Sequence, residues 1–429
     1  MALEDYRESM LGCSKCSYCK FIPLAKINGL KYAEGCPSVA YYGFHTYSGG
    51  GRLTAALSLL EGRSGYTDKV RDMVYGCQLC GACDVTCKVC RYNMEPQAAL
   101  EEIRAVFAGD GQTLPVHDKT IENLRGENNM MSVPATGRGG WADGLGLKDI
   151  SKERCDALFF AGCRCGFDES VKKVARAAAG VLKAGGLDLG IMGDGELCCG
   201  GAAYNLGYRE DFARLAQANI AAWKDAGVKT IVTPCANCYW AFNRLYRQRE
   251  DFGIEAFHAV QLADKLIKDG VLKPAKPMPV NAAYHDPCRL GRLGKPYEKW
   301  DGETTKIFGT IPKNDPPKPR YNGEGGVYDE PRDILKAIPG LKLVEMVRSR
   351  EASWCCGAGG GVREAFPGFG QATAKSRLEE AADAGAEILV SACPLCEREL
   401  ADASAAKGGK LKVYDIFELL GTALGGGDF

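Results

Sequence analysis

The sequence lacks the features that mark several large classes of protein. Lys plus Arg and Asp plus Glu both total 54, so the formal net charge is zero. Nucleic acid is therefore not expected as the main partner, because binding phosphates requires a concentrated basic surface. The longest apolar stretches are well short of the roughly 20 residues that cross a bilayer, and we expect no membrane-spanning segment.

Signals for export and for nucleotide binding are also missing. The first residues, MALEDYRESMLGC, are acidic where an export leader would be basic and then apolar, so we expect no leader. The run from Gly359 to Gly361 has the composition of a phosphate-binding loop but lacks the Lys-Ser/Thr that such a loop requires. No nicotinamide or flavin fingerprint stands out.

Cysteine, in contrast, is abundant, with 21 among 429 residues. This proportion is below that of small disulfide-stapled proteins, and a chain with 46% apolar residues can build cores without such bridges. We therefore predict a cytoplasmic protein, free or peripheral to a membrane complex, whose cysteines bind metal. The length suggests about three domains of ordinary size.

Two cysteine runs occupy the N-terminal part of the chain. They lie at Cys13, Cys16, Cys19 and Cys36, and at Cys77, Cys80, Cys83 and Cys87. The second run resembles the bacterial ferredoxin signature, in which two runs hold two cubane [4Fe–4S] clusters and the fourth cysteine of each run ligates the other cluster. That resemblance implies two ligand sets: Cys13, Cys16, Cys19 and Cys87, and Cys77, Cys80, Cys83 and Cys36.

Two departures from the ferredoxin pattern are present. Lys88 stands where a proline usually follows the fourth cysteine, and Cys36 comes 17 positions after Cys19. The longer loop is tolerable, because loop closure costs only slowly more entropy with length. A zinc ribbon is the alternative, but its two C-x-x-C pairs leave the third cysteine of each run unexplained. Cys90 is a spare, for packing or as a nearby thiol.

A second cysteine pattern occurs twice in the remainder of the chain. Each copy has a single cysteine, then Cys-Cys-Gly, then C-x-x-C. The positions are Cys163, Cys198, Cys199, Cys235 and Cys238, and then Cys288, Cys355, Cys356, Cys393 and Cys396. The double cysteine and the C-x-x-C are separated by 35 residues in the first copy and 36 in the second. This near-identical spacing indicates a duplicated cysteine-built site.

The fold class expected is a multidomain α+β protein. Residues 1–110 have helical periodicity and form a mostly helical ferredoxin-like domain with the cysteines on loops. Residues 111–150, rich in Gly, Asn and Pro, form an irregular connector. Residues 151–275 and 276–429 are two copies of an α/β domain with a parallel sheet. In both copies each cysteine group follows a predicted strand, where open parallel sheets place their ligands and where helix N-termini favour thiolates.

The second copy contains a proline-rich insertion at about residues 292–338. Only 34 residues separate Cys163 from Cys198, whereas 66 separate Cys288 from Cys355. A long loop in a compact domain is usually functional or disordered. A lid, a partner-docking surface and solvated decoration are the alternatives.

The two copies resemble the cysteine-rich "CCG" domain of the catalytic subunit of heterodisulfide reductase, and the whole chain is similar to the fused D-type subunit of that family. The resemblance is carried by Cys198-Cys199-Gly200 with Cys235-Ala236-Asn237-Cys238, and by His285-Asp286-Pro287-Cys288 with Cys355-Cys356-Gly357 and Cys393-Pro394-Leu395-Cys396. It implies one noncubane [4Fe–4S] cluster for each five-cysteine set. It further implies that the two clusters face a common cavity in which a disulfide is split.

The function implied is that of an oxidoreductase subunit. Electrons would pass through two cubane clusters to two noncubane clusters for thiol/disulfide chemistry, in an anaerobic host. The alternative is an electron-relay subunit of a larger complex, of the class II benzoyl-CoA reductase type or the glycolate/lactate oxidation type. The partners expected are flavin- or iron–sulfur-containing subunits, together with a disulfide substrate in the first case. Which substrate is used, and in which direction electrons flow, stays open.

The residues around these motifs leave smaller alternatives. His285 is a candidate proton donor for a leaving thiolate, or it makes a hydrogen bond to a ligand cysteine. Cys165 lies two positions after Cys163 and is an alternative ligand, whereas Cys155 belongs to no motif. The glycines 359–361 are interpreted as making room for a cluster to approach the backbone.

Overall fold

Helices dominate the N-terminal part of the chain, as its periodicity predicts. The computed structural model describes residues 2–91, 94–319 and 323–426. The helices here are α1 (Arg7–Leu11), α2 (Pro37–Tyr42), α3 (Gly49–Leu60), α4 (Asp68–Tyr75), α5 (Ala82–Cys90) and α6 (Pro96–Gly109). Proline opens α2 and α6, at the position where a missing N–H costs nothing. Ser48 caps α3 by accepting a hydrogen bond of 3.0 Å from the N–H of Gly51.

The segment expected as an irregular connector contains a helix, so that expectation is wrong for part of it. Helix α7 (Pro115–Glu127) begins with a proline and buries His117, Ile121 and Leu124 on one face. Three apolar residues in a charged stretch gave too weak a periodicity for the helix to be predicted. The contacts of α7 place it beside the site described below.

The first copy is a parallel sheet covered by helices. Its elements are β1 (Lys148–Asp149), β2 (Ala157–Phe159), α8 (Gly162–Phe167), α9 (Lys172–Ala184), β3 (Leu189–Ile191), α10 (Gly201–Leu206), α11 (Arg209–Asp225), β4 (Thr230–Thr233), α12 (Ala236–Trp240), β5 (Glu255–His258) and α13 (Ala259–Lys268). The strand order is β1-β3-β2-β4-β5, and all pairs are parallel. The edge strands β1 and β5 were not predicted.

The second copy is built in the same way. Its elements are β6 (Asn281–His285), β7 (Glu303–Ile307), β8 (Ile311–Asp315), α14 (Asp329–Ala337), β9 (Lys342–Val344), α15 (Val362–Ala365), α16 (Pro367–Asp383), β10 (Ile388–Ser391), α17 (Pro394–Ala405), β11 (Lys412–Asp415) and α18 (Ile416–Ala423). The strand order β11-β10-β6-β9 is again parallel throughout. Strand β11 was not predicted.

Both sheets have one topology, which confirms the duplicated α/β fold. The order β3-β2-β4-β5 in the first copy corresponds to β9-β6-β10-β11 in the second. In each copy the second strand lies on one side of the first strand, and the third and fourth strands lie on its other side. Such a reversal of strand order creates a crevice at the carboxyl ends of the strands.

The two copies pack against each other through two equivalent pairs of helices. Helix α9 contacts α18, and α13 contacts α14. Because α9 and α14 both follow the first strand of their copy, and α13 and α18 both follow the last, these two contacts are equivalent. This is the pattern of a two-fold interface, and one hydrophobic core runs across it.

The insertion predicted at about residues 292–338 is shorter than expected, and part of it has regular secondary structure. Helix α14 occupies the place in the second copy that α9 has in the first, so it belongs to the duplicated fold. The strands β7 and β8 form an antiparallel hairpin within the remaining residues. Among the residues that the structure describes, no helix has the length and apolarity needed to cross a bilayer.

Candidate metal centres

The first predicted ligand set surrounds a cavity at the surface. Cys13, Cys16, Cys19 and Cys87 all line it, and Cys16 is exposed. The N-terminus of α3 closes one side, where the N–H of Gly50 donates to Sγ of Cys19 at 3.4 Å. A Cβ atom at Gly50 would lie only 3.2 Å from Sγ of Cys13. The glycine therefore keeps open the space between the helix and the thiols.

The second predicted set lies deeper in the N-terminal part. The thiols of Cys36, Cys77 and Cys83 are electrostatic neighbours, and Cys80 also acts on Cys36. Burial raises the pKa of Cys36 to about 12. Gly49 separates this set from the first, because a Cβ there would lie 2.9 Å from Cβ of Cys83.

One cavity is lined by every cysteine predicted as a ligand in the two copies. The ten residues are Cys163, Cys198, Cys199, Cys235, Cys238, Cys288, Cys355, Cys356, Cys393 and Cys396. Each group follows the carboxyl end of a strand, β2, β3 or β4 in the first copy and β6, β9 or β10 in the second. The reversal of strand order and the two-fold arrangement thus bring the ten thiols together.

The five thiols of the first copy touch in series. Cys163 contacts Cys198, which contacts Cys199. Cys199 in turn contacts Cys238, which contacts Cys235. The hydrogen bond from the Cys198 thiol lowers the pKa of Cys199 to about 6. These residues are separated by up to 75 positions in the sequence, so only the packed domain unites them.

The second copy repeats this series in the same order. Cys355 contacts both Cys288 and Cys356. Cys356 contacts Cys396, which contacts Cys393. All described cysteines are free thiols, and a thiol cluster of this density fits a metal centre better than an apolar core.

The glycine of each Cys-Cys-Gly has a defined part in the site. Gly200 has a φ of +76° and Gly357 a φ of +109°, values that L side chains rarely adopt. The N–H of Gly200 donates to Sγ of Cys198 at 3.5 Å, and the N–H of Gly357 donates to Sγ of Cys355 at 3.4 Å. In both copies the turn thus supplies an N–H donor to the first thiol of the pair.

Two further contacts join the separate groups of thiols. The equivalent cysteines Cys235 and Cys393 meet where the copies face each other. Cys80 of the N-terminal part contacts Cys355 of the second copy, and the hydrogen bond from the Cys355 thiol lowers the pKa of Cys80 to about 5. The second copy is therefore the one that adjoins the N-terminal cysteines.

The glycines 359–361 line the cavity of the ten cysteines, and two of them also make room for a neighbouring loop. A Cβ at Gly359 would lie 2.5 Å from the carbonyl oxygen of Gln78, and one at Gly360 would lie 2.5 Å from that of Cys77. The missing side chains thus let the backbone of the Cys77 loop approach this turn closely. Arg292 fastens the same loop, because its Nε donates to the carbonyl of Cys80 at 2.6 Å.

Arg104 connects three parts of the molecule and was missed by sequence reasoning. Its guanidinium is fully buried and donates to carbonyl oxygens of Tyr75 and Cys77 at 3.1 and 2.6 Å. It also donates to Asn205 of the first copy at 2.9 Å and to Gly360 of the second at 2.7 Å. An arginine within a helical stretch gives no signal of such a role.

His285 is buried beside the thiols of the second copy. One of its ring nitrogens and the Sγ atoms of Cys356 and Cys396 all lie within 4.8 Å of one another. Nε of Arg377 donates to Nδ1 of His285 at 3.1 Å, so the neutral ring carries its proton on Nε2. Burial lowers the pKa of His285, opposed by its contact with Cys356. The adjacent Asp286 forms an ion pair of 2.7 Å with Arg332, and it does not line the cavity of the ten cysteines.

The other described cysteines of the two copies do not line this cavity. Cys165 is buried but does not line the cavity, and its electrostatic neighbours are Cys235 and Cys393 of the ten together with Asp415 and Glu397. Cys155 donates to the carbonyl of Ala157 at 3.4 Å. The side chain of Cys90 lies outside the described part of the chain.

A buried ion pair beside Cys163 was also missed. Arg138 and Glu196 lie 2.7 Å apart, and Glu196 accepts from the N–H groups of Ala161 and Gly162 at 3.0 Å. Nη2 of Arg138 donates to Sγ of Cys163 at 3.6 Å. The pair fixes the turn that carries Cys163 and adds a positive charge next to that thiol. Neither residue belongs to a sequence motif.

These features define a class of iron–sulfur proteins with a two-cluster region and a duplicated cysteine-rich unit. Residues 9–90 match the family "4Fe-4S dicluster domain". Residues 157–243 and 319–401 match the family "Cysteine-rich domain". The second match begins after Cys288, whose place in the site comes from its contact with Cys355.

Curated relatives show the same organisation over most of the chain. The D-type polypeptide of the dihydromethanophenazine:CoB--CoM heterodisulfide reductase of Methanosarcina barkeri is 32% identical over 367 residues, covering 83% of this chain and 80% of that protein. The probable iron-sulfur-binding oxidoreductase FadF of Bacillus subtilis is 29% identical over 89% of this chain and 51% of its own length. The EtfAB:quinone oxidoreductase of Syntrophomonas wolfei is 28% identical over 82% of this chain and 47% of its own length. The chain belongs to the family of D-type heterodisulfide reductase subunits and is an iron–sulfur redox subunit.

Proposed function

We propose that this subunit passes electrons one at a time from a redox partner to a disulfide substrate, which is reduced to two thiols. The observation that carries the proposal is the single cavity lined by all ten cysteines of the two copies. Two thiol sets that face one space can supply two single electrons to one bond. A subunit that only relayed electrons would need no cavity at this point.

The proposed ligands are the four sets of cysteines described above. Cys13, Cys16, Cys19 and Cys87, and Cys36, Cys77, Cys80 and Cys83, would each hold a cubane [4Fe–4S] cluster. The five cysteines of each copy would hold a noncubane [4Fe–4S] cluster, because five thiolates exceed the four that a cubane needs. Such clusters, when bound, supply single electrons at a site where sulfur is a natural ligand.

The reaction is balanced with a partner as the reductant. Breaking one S–S bond to give two thiols takes up two electrons and two protons. The electrons come from a flavin- or iron–sulfur-containing redox subunit, in two single steps. The protons come from solvent, because the cavity is open to it.

The contacts between the thiol groups support one order for the proposed route. Cys83 of the second set has Cys19 of the first as a neighbour, and Cys80 contacts Cys355. From the second copy, the contact between Cys393 and Cys235 leads to the first copy. The route therefore begins at the exposed Cys16 and ends at the first copy.

The partner would dock around Cys16. Leu11, Leu24 and Phe44 are exposed in this part of the chain, and Lys15 and Lys20 act on the neighbouring His45, whose pKa burial and these charges lower. An apolar surface with lysines at the first set of cysteines favours a partner with an acidic, apolar docking face.

We further propose that His285 donates its Nε2–H to a thiolate ligand and is not itself a ligand or an acid. The His285→Leu variant is expected to keep its full iron content while its electron paramagnetic resonance (EPR) spectrum shifts and its reduction potential falls, because the donor stabilises the reduced, more negative state. His117→Leu is the matched control, since His117 is also buried and lines the cavity of the ten cysteines but bonds to the carbonyl of Gly361 at 2.9 Å. Lost iron would make His285 a ligand. Lost turnover with unchanged iron and EPR would make it the proton donor.

The experiment for the main proposal uses the anaerobically purified chain with an artificial one-electron donor and a heterodisulfide of two different thiols. Two thiols are expected to form for each disulfide consumed. Cys165→Ser is expected to leave turnover unchanged, because Cys165 does not line the cavity. Full cluster reduction without thiol formation would contradict the proposal.

That negative outcome is the one expected for the second candidate function, an electron relay in a larger oxidoreductase complex. The observation that favours it is the similarity to FadF and to the EtfAB:quinone oxidoreductase, at 29% and 28% identity. In that case a partner would cover the cavity and accept the electrons there.

A further inference from the structure

The hairpin of β7 and β8 stands in the insertion that only the second copy has. Ile307 pairs directly with Ile311, and the turn between them consists of Phe308, Gly309 and Thr310. The N–H of Thr310 donates to the carbonyl of Ile307 at 3.2 Å and closes the turn. The site described above uses none of these residues.

The tip of this hairpin is apolar and exposed. Phe308 is 91% exposed, Ile311 57% and Ile307 41%. On a water-facing surface single exposed apolar residues need no explanation, but three at one protruding turn form a patch. The patch is the end of a hairpin rather than a groove or a flat face.

Phe308 occupies a backbone position that does not suit it. Its φ is +52° and that of Gly309 is +71°. Hairpin turns with two positive φ values favour Asn-Gly or Gly-Gly, because a side chain larger than Asn is strained there. A large aromatic residue held in a strained and exposed position points to a role in binding rather than in folding.

Charges are arranged in layers below the tip. Lys306 is adjacent to Ile307 and Lys313 lies two residues after Ile311, on opposite faces of the hairpin. Among the described residues, neither lysine has a carboxylate partner within 4 Å. The acidic pair Glu303 and Asp315 lies four steps below the Ile307–Ile311 pair, about 14 Å away at roughly 3.4 Å per residue.

We propose that this hairpin tip inserts into the surface of an anionic membrane. Phe308, Ile307 and Ile311 would enter the boundary of the acyl chains, as aromatic residues at membrane interfaces do. Lys306 and Lys313 would reach anionic phospholipid headgroups from both faces, while the acidic pair stays in water. This order of apolar, basic and acidic layers complements a membrane. Three side chains are too few for a stable protein interface, which buries about 1,200–2,000 Å².

The experiment measures co-sedimentation of the full-length, anaerobically purified protein with phospholipid vesicles. Binding to vesicles of phosphatidylcholine with about one third phosphatidylglycerol is expected to be about tenfold tighter than to phosphatidylcholine alone, and to weaken at high salt. Phe308→Asn is expected to weaken binding by about tenfold or more. Lys306→Glu with Lys313→Glu is expected to abolish the preference for anionic vesicles.

Two features make the result decisive. Phe308→Asn suits the turn better than the native residue, so its thermal midpoint should not fall and lost binding cannot be attributed to unfolding. Phe308→Trp is the conservative control, expected to keep vesicle binding and to shift its fluorescence to shorter wavelength on anionic vesicles. Equal vesicle binding by the native protein and Phe308→Asn would overturn the proposal. So would self-association or subunit binding that Phe308→Asn abolishes while vesicle binding is unaffected.

Discussion

The Cys199→Ser and Cys356→Ser variants are each expected to lose one cluster, so that iron falls from about 16 to about 12 atoms per chain in anaerobically purified protein. Cys199 contacts Cys198 and Cys238, and Cys356 contacts Cys355 and Cys396. Each is thus central in its five-cysteine set. A serine hydroxyl is a poor replacement for a thiolate that binds iron. Iron and sulfide analysis with EPR provides the measurement.

The matched control for these variants is Cys165→Ser. Cys165 is as buried as the ligands and lies two residues from Cys163, yet it does not line the cavity. The iron content and EPR spectrum of the Cys165→Ser variant should equal those of the native chain. If Cys199→Ser kept all its iron while Cys356→Ser lost about a third of a native content of about 12 atoms, only the second copy would hold a cluster. Disulfide reduction by two facing clusters would then be untenable.

Replacing Arg104 by methionine is expected to lower the free energy of unfolding by about 4 kcal/mol, because buried carbonyl acceptors lose their donor. The guanidinium has no exposed surface, and burial lowers its pKa to about 10, with Cys77 acting in the opposite direction. The nearby cysteines supply the negative charge that an arginine among carbonyls otherwise lacks. Removing it also releases the contact between the N-terminal part and both copies.

The measurement is the midpoint of urea denaturation in anaerobic buffer, with Arg214→Met as the matched control. Arg214 also donates to a carbonyl, that of Leu124 at 2.8 Å, but it is exposed. Replacing Arg214 should lower the free energy of unfolding by less than about 1 kcal/mol. Equal midpoints for the two variants would show that Arg104 does not hold the three parts together.

Much of the fold could be predicted because its signals are local. The strands β2, β4, β6 and β10 are short apolar runs, and α9 and α11 have amphipathic periodicity. The fold class, the helical N-terminal region and the duplication are confirmed. The edge strands β5 and β11 mix polar and apolar residues, and their pairing depends on neighbours far along the chain. Helix α14 was assigned to the insertion because its counterpart α9 can be identified only once both sheets are compared.

The candidate site also has features that local sequence predicts and features that depend on long-range packing. The membership of the two N-terminal sets is a prediction from the resemblance to the ferredoxin signature, and that of the two five-cysteine sets from the duplicated pattern and its family resemblance. No spacing indicates that Cys80 meets Cys355 or that Cys235 meets Cys393, because 275 and 158 positions separate them. The same holds for Arg138, whose contact with Cys163 depends on how the connector folds over the first copy.

The sequence by itself determined the chemistry of this protein: which thiols exist, how they are grouped along the chain, and that the grouping is duplicated. These are properties of neighbouring residues, and local geometry constrains them. Only the tertiary structure decided that the two copied sets share one cavity, that the second copy adjoins the N-terminal cysteines, and that a strained aromatic stands at the tip of the hairpin. These arrangements arise from the packing of helices between the copies and from other long-range contacts. The free energy of this packing is spread over many residues, so no single motif indicates it.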